Sequence, residues 1–188
     1  FVQAPQELEG SGIDLFKEGM EGTPHYIDWI NSEIPENGLV AVNAIATSHA
    51  NWELLSEKLA AKGNKLVDLP LLKEIWTNRN ANTKKNPIFV QPVERAGKSV
   101  TDKLISIRNK MEELDASVHV ISSLDDVAWT LNLRGSDVQS NPVFLGYIIV
   151  TKNEAKLFVD LEKLEVDARK QMDDSWVKML PYEEFYHE

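Results

Sequence analysis

The chain has 188 residues, 43% of them hydrophobic and 27% charged, with a formal net charge of −10 and no cysteine. This is the composition of a globular protein with enough apolar residues for a core, and its acidity disfavours nucleic acid or an anionic membrane surface as partner. The missing cysteines exclude disulfides, zinc–cysteine sites and a thiol nucleophile, and they fit the cytoplasm.

No apolar run approaches the roughly 18 residues a membrane-spanning helix needs, so no membrane partner is expected. The N-terminal FVQAPQELEG lacks the basic-then-apolar order of a signal peptide. A start at Phe1 and an end at Glu188, just after a new element begins, read as a piece of something longer.

In chain order, Gly10-Ser11-Gly12 interrupts the start, and Ile13-Asp14-Leu15-Phe16 predicts a short strand. Thr23-Pro24 opens a helix with Tyr26, Ile27, Ile30 and Ile34 on one face. Leu39 to Val42 is a buried strand by length and branching. Ser48 caps a second helix through Trp52, Leu55 and Leu59 to Gly63, and Lys65 to Leu69 is the next strand. This alternation of strands and helices predicts an α/β layer. After a brief helix around Leu71, Leu72, Ile75 and Trp76, the polar stretch 78–98 reads as a connection between two domains. The expected division is therefore 1–86, a linker at 87–98, and 99–188.

Ser99 with Asp102 three residues later is the order of a capping box, followed by Val100, Leu104, Ile107, Met111 and Leu114 at helical spacing. Val118 to Ile121 is a strand. The stretch 122–150 then combines three signals. Ser123 with Asp126 reads as another capping box opening a helix through Leu124, Val127, Ala128 and Leu131. Residues 134–142 form a polar loop with Gly135 and Asn141-Pro142 as turn formers, and Val143 to Val150 is a strand apolar enough to be covered on both faces. A hairpin partner at Lys156 to Asp160, a helix at Val166 to Met172, a strand at Trp176 to Leu180 and a helix start after Pro181 complete the chain.

Little in these residues points to chemistry. His25, His49, His119 and His187 are too far apart in sequence to form a metal pair on one helix or hairpin. Gly135-Ser136-Asp137 lacks the Gly-x-Ser-x-Gly order of a nucleophile elbow, and neither common phosphate-binding glycine loop occurs. Trp29, Trp52, Trp129 and Trp176 lie in predicted helices and strands, where packing explains them. Arg134, Asp137 and Asn141 are the candidate site residues. Their loop is anchored on both sides, and an arginine there holds either a neighbouring carboxylate or a partner.

Three runs, Leu124-Asp125-Asp126-Val127-Ala128-Trp129, Asn132-Leu133-Arg134-Gly135-Ser136-Asp137 and Asn141-Pro142-Val143-Phe144, resemble the second domain of the three-domain Xaa-Pro aminopeptidases of the creatinase and prolidase group. Ala96-Gly97-Lys98-Ser99, Asp102-Lys103-Leu104 and Ile107-Arg108 are similar to the opening of that domain. Ile75-Trp76-Thr77 with Arg79 resembles the end of the first, with a departure at Asn80, where a proline commonly follows the arginine. The resemblance implies two creatinase-N-terminal-like domains, each a mixed sheet flanked by helices, the first incomplete. It also implies a parent enzyme, usually a homodimer, that releases the N-terminal residue preceding proline. In that family two Asp, one His and two Glu of a C-terminal catalytic domain hold two divalent metals, commonly manganese, and no residue here matches that set. The expectation is a non-catalytic piece without cofactor. It would cover the cleft that admits proline-containing peptides and partner the missing catalytic domain. The alternative reading is an autonomous protein-interaction module of the same fold.

Overall fold

The computed structural model describes residues 2–76 and 86–188, and the chain forms two compact units, Phe1–Asn80 and Ala81–Glu188. The similarity at Thr77, Arg79 and Asn80 lies outside the described residues.

The first unit is built on a two-stranded parallel sheet, β1 (Leu39–Val42) beside β2 (Lys65–Asp68), in the register Leu39 to Lys65. It also carries α1 (Gln3–Leu8), α2 (Tyr26–Glu33), α3 (His49–Ala60) and α4 (Leu72–Ile75). Ser48 caps α3 by accepting from the Asn51 amide, as the sequence suggests. On α2 the cap is His25 rather than Thr23, with its imidazole accepting from the Ile27 amide. Gly63 sits at φ +71, and a side chain there would meet Asn37 Oδ1 at 2.5 Å, so only glycine turns the chain from α3 into β2. The small core is Ile27, Leu55 and Leu59. The strand expected at Ile13–Phe16 does not form. Those residues run without hydrogen-bonded pairing, and Phe16 packs instead against Trp29, ring centroids 5.3 Å apart. Contrary to the expectation that Leu39–Val42 is buried, neither β1 nor β2 contains a buried residue. Parallel strands are stable when both faces are covered, so this sheet has the character of an unfinished one.

The second unit begins earlier than the polar composition suggests. Residues 87–98, expected as a linker, contain β3 (Phe89–Val90) and α5 (Val93–Ala96), and Ile88 is fully buried in the unit's core. Prolines and charges dominate that stretch, but the few apolar residues between them are the ones the core takes up. The Ser99 cap forms: its hydroxyl accepts from the Asp102 amide at 3.1 Å and donates to the Asp102 carboxylate at 2.7 Å, starting α6 (Val100–Glu113).

Next come β4 (Val118–Ile121), α7 (Leu124–Leu131), β5 (Leu133–Arg134), β6 (Gly146–Thr151), β7 (Ala155–Val159), α8 (Val166–Asp174) and β8 (Val177–Pro181). A 3-10 turn spans Leu161–Lys163, and another, Tyr182–His187, follows β8. The main sheet has the order β4-β6-β7-β8, antiparallel except for the parallel pair β7-β8, and β3 pairs separately with β5. Mixed strand directions with helices against the sheet agree with the expected fold class.

One sheet face carries Ile121, Ile148, Val150, Leu157 and Val177 into a core shared with Val100, Leu104, Met111, Val127, Leu131 and Met172. Each such side chain contributes about 1.5–3 kcal/mol by leaving water. The β6 strand alternates buried and half-buried positions, so it is covered completely on one face rather than two. Its other face holds Tyr147, stacked on Phe185 at 4.0 Å with rings 12° from parallel.

Two further expectations change. The Ser123 side chain makes no capping bond to α7. Trp176, expected to pack in a strand, is 89% exposed in the turn before β8, at φ 57. Among the described residues, no helix is long and apolar enough to cross a membrane.

Candidate functional site

The loop carrying Arg134, Asp137 and Asn141 starts where α7 ends. Asn132 takes the left-handed conformation, φ 51, that closes the helix and turns the chain into β5. Arg134 then donates through Nη1 to the Ala128 carbonyl at 3.0 Å and the Leu133 carbonyl at 2.8 Å. Its guanidinium thus sits at the C-terminal end of α7, where carbonyl dipoles favour a cation. The expected choice for Arg134 lay between a carboxylate and a partner, whereas the hydrogen bonds observed are to backbone carbonyls.

Gly135 is buried, and a Cβ there would come within 2.8 Å of the Phe144 Cβ. Its role is close approach of two backbone segments. Asp137 lies inward: its side chain is 6% exposed and pairs with Lys163, itself 8% exposed, while its second oxygen accepts from the Leu145 amide at 2.8 Å. Asn141 donates to the Asp125 carboxylate at 3.3 Å across the loop. The three candidates are therefore held by different partners, with none shared between them.

Lys103 is the group that sequence reasoning overlooked. Only 1% exposed, it donates to the Trp129 carbonyl and to Asn132 Oδ1, both at 2.6 Å, and its Nζ lies 3.9 Å from the centroid of the Trp129 ring. Asn132 in turn donates to the Lys98 carbonyl at 2.8 Å. Burial, with the nearby charges of Arg134 and Lys98, pushes the Lys103 amine below its ordinary value. A signal was available, because position 103 falls at helical spacing between Val100 and Ile107, on the apolar face of α6. On the far sheet face, the Tyr147 hydroxyl lies 3.2 Å from those of Tyr182 and Tyr186. Hydrogen bonding to Tyr182 is the main cause that raises the Tyr147 phenol above its ordinary value.

The metals implied by the resemblance find no ligand cluster among the described residues. Among the described residues no three His, Asp or Glu side chains come together to hold an ion. His25 instead faces Glu18 at 3.4 Å, and His49 faces Glu53 at 3.7 Å on the same helix. The described residues do not fit a metal centre.

Comparison with known proteins places this geometry in a family. The Creatinase/Prolidase N-terminal domain model matches residues 78–188. A probable Xaa-Pro aminopeptidase P of Arthroderma gypseum is 40% identical over 189 residues, covering 99% of this chain and 29% of that protein. Aminopeptidase P2 of Arabidopsis thaliana is 35% identical over 97% of this chain and 26% of its own length. The crystal structure of an X-prolyl aminopeptidase from Caenorhabditis elegans, described as a cytosolic enzyme with a di-nuclear active site, superposes with a TM-score of 0.90 at 30% identity. That match covers all of this chain and 31% of the nematode protein, so the chain spans under a third of the length of these relatives. The chain belongs to the creatinase/prolidase N-terminal domain family.

Proposed function

We propose that these residues are the non-catalytic N-terminal and middle domains of a metal-dependent Xaa-Pro aminopeptidase. The observation that carries the reading is full-length coverage of this chain by aminopeptidase P relatives, at 40% identity in one case, together with the absence of a metal-ligand cluster among the described residues. The chemistry then belongs to a catalytic domain elsewhere in the parent, with two divalent metals, manganese by family resemblance, activating water against the bond before proline. In this reading the first unit is the latter part of one creatinase-N-like domain and the second unit most of another. They cover the cleft, restrict it to short proline-containing peptides, and support a cytoplasmic homodimer. The incompletely covered strands β1 and β2 favour an association with further chain.

The parent coding sequence beyond Glu188 tests this. It is expected to encode two Asp, one His and two Glu in a further domain. A stop codon directly after Glu188 would overturn the reading in favour of an autonomous interaction module.

A further inference from the structure

The second unit contains a cleft of about 520 Å³ between the C-terminal half of α6, the turn that follows it and the β6–β7 turn. Arg108, Glu112, Asp115, Ser117 and Lys152 line it, over a floor that includes the buried Met111. The volume lies within the range of small-molecule sites, roughly 300–1,000 Å³.

The charges in this cleft are balanced but unpaired. Arg108 and Glu112 stand four residues apart on one helix, a spacing that normally allows an ion pair. Even so, no nitrogen of Arg108 or Lys152 comes within 4.0 Å of a carboxylate oxygen of Glu112 or Asp115. Arg108 is held in place by its Nε, which donates to the Thr151 carbonyl at 3.0 Å, and this leaves both terminal nitrogens without a protein hydrogen bond. Two cations and two carboxylates thus line one concave surface with a gap between them.

A ligand that satisfies both sets must carry an ammonium and a carboxylate on one small body. We propose that this cleft binds a zwitterion, a free α-amino acid or a short unblocked peptide. Its carboxylate meets Arg108 and Lys152, and its ammonium meets Glu112 and Asp115. The bidentate geometry of guanidinium with carboxylate makes Arg108 the main anchor. The inference stands on the cleft alone and does not depend on the peptidase reading.

The test is a nitrogen-15 NMR titration of the 188-residue chain with the dipeptide Gly-Ala, with alanine in a parallel arm. Saturable shifts are expected at the amides of residues 108–117 and 151–153, with a dissociation constant of about 1 mM. Acetyl-Gly-Ala and Gly-Ala amide, each missing one charge, should bind about three- to fivefold more weakly, as should Gly-Ala to Lys152→Gln and Glu112→Gln. Both substitutions change exposed side chains, and an unchanged spectrum outside the cleft verifies their fold. Alanine binding as well as Gly-Ala assigns the site to free amino acids, and weaker binding assigns it to peptides. Absence of saturable shifts, or equal binding of the blocked analogues, would overturn the proposal.

Discussion

Lys103 donates a hydrogen bond to the backbone carbonyl of Trp129 and at the same time places its ammonium 3.9 Å from the centroid of the Trp129 ring. One buried cation thereby joins α6 to the end of α7 through a single residue. The same amine bonds Asn132, the left-handed residue from which the Arg134 loop departs. Lys103→Met should leave the Trp129 carbonyl and Asn132 Oδ1 without this donor and destabilise the second unit by about 2 kcal/mol. The pH dependence has a definite sign. The folded amine titrates below its ordinary 10.5, so between the folded and unfolded values the unfolded chain binds more protons. The cost of burying the charge is therefore present below the folded value and fades as pH rises towards 10.5. Urea unfolding of both chains from about pH 8 to about pH 10 should show the wild type gaining stability relative to Lys103→Met. A constant difference would contradict this.

Asp137 and Lys163 form a buried ion pair between the loop and the 3-10 turn after β7. Removing one partner strands the other charge in the interior. Asp137→Ala should cost about 3 kcal/mol or more. The exposed Gln139→Ala should stay within about 0.5 kcal/mol. Equal unfolding midpoints for the two variants would show that the pair carries no stability.

Arg134→Ala removes the cation from the end of α7. In the proposed parent enzyme it should lower peptidase activity at equal folded fraction, because the loop it aligns loses its fixed start. Arg169 is no suitable control. It is half-buried and donates to the Leu164 and Leu161 carbonyls. Lys170, with a side chain 71% exposed, serves instead, and Lys170→Ala should leave turnover unchanged. Equal turnover of the two variants would show that Arg134 only stabilises the unit.

What the sequence reveals here is mostly local. Ser48 and Ser99 mark their helices because a cap is a contact across three residues, and the hairpin of β6 with β7 follows from two apolar runs close in sequence. Ser123 shows the limit of that signal, since the same residue order produces no cap there. Long-range partners were not legible. Lys163 is 26 residues from Asp137, and Lys103 is 26 from Trp129, and nothing in composition or spacing joins either pair. For the same reason the polar run at 87–98 looked like a linker, although Ile88 completes a distant core by pairing beside Leu164. The family was readable because LNLRGSDVQSNPVF packs many such constraints into one contiguous run. Gly135, Phe144 and Asn132 all have demanding surroundings there.

On the proposed function, these residues are part of a peptidase and do not themselves perform its chemistry. The most direct measurement is release of the N-terminal residue from an Xaa-Pro-Pro peptide by the purified 188-residue chain with added manganese. A folded chain with no turnover above a buffer control is the predicted result, since no cluster of metal-binding side chains occurs among the described residues. Manganese binding alone does not bear on this, because an exposed carboxylate binds the ion weakly without activating water at a scissile bond. Turnover that persists after contaminating peptidases are removed would contradict the account and place the chemistry within these residues.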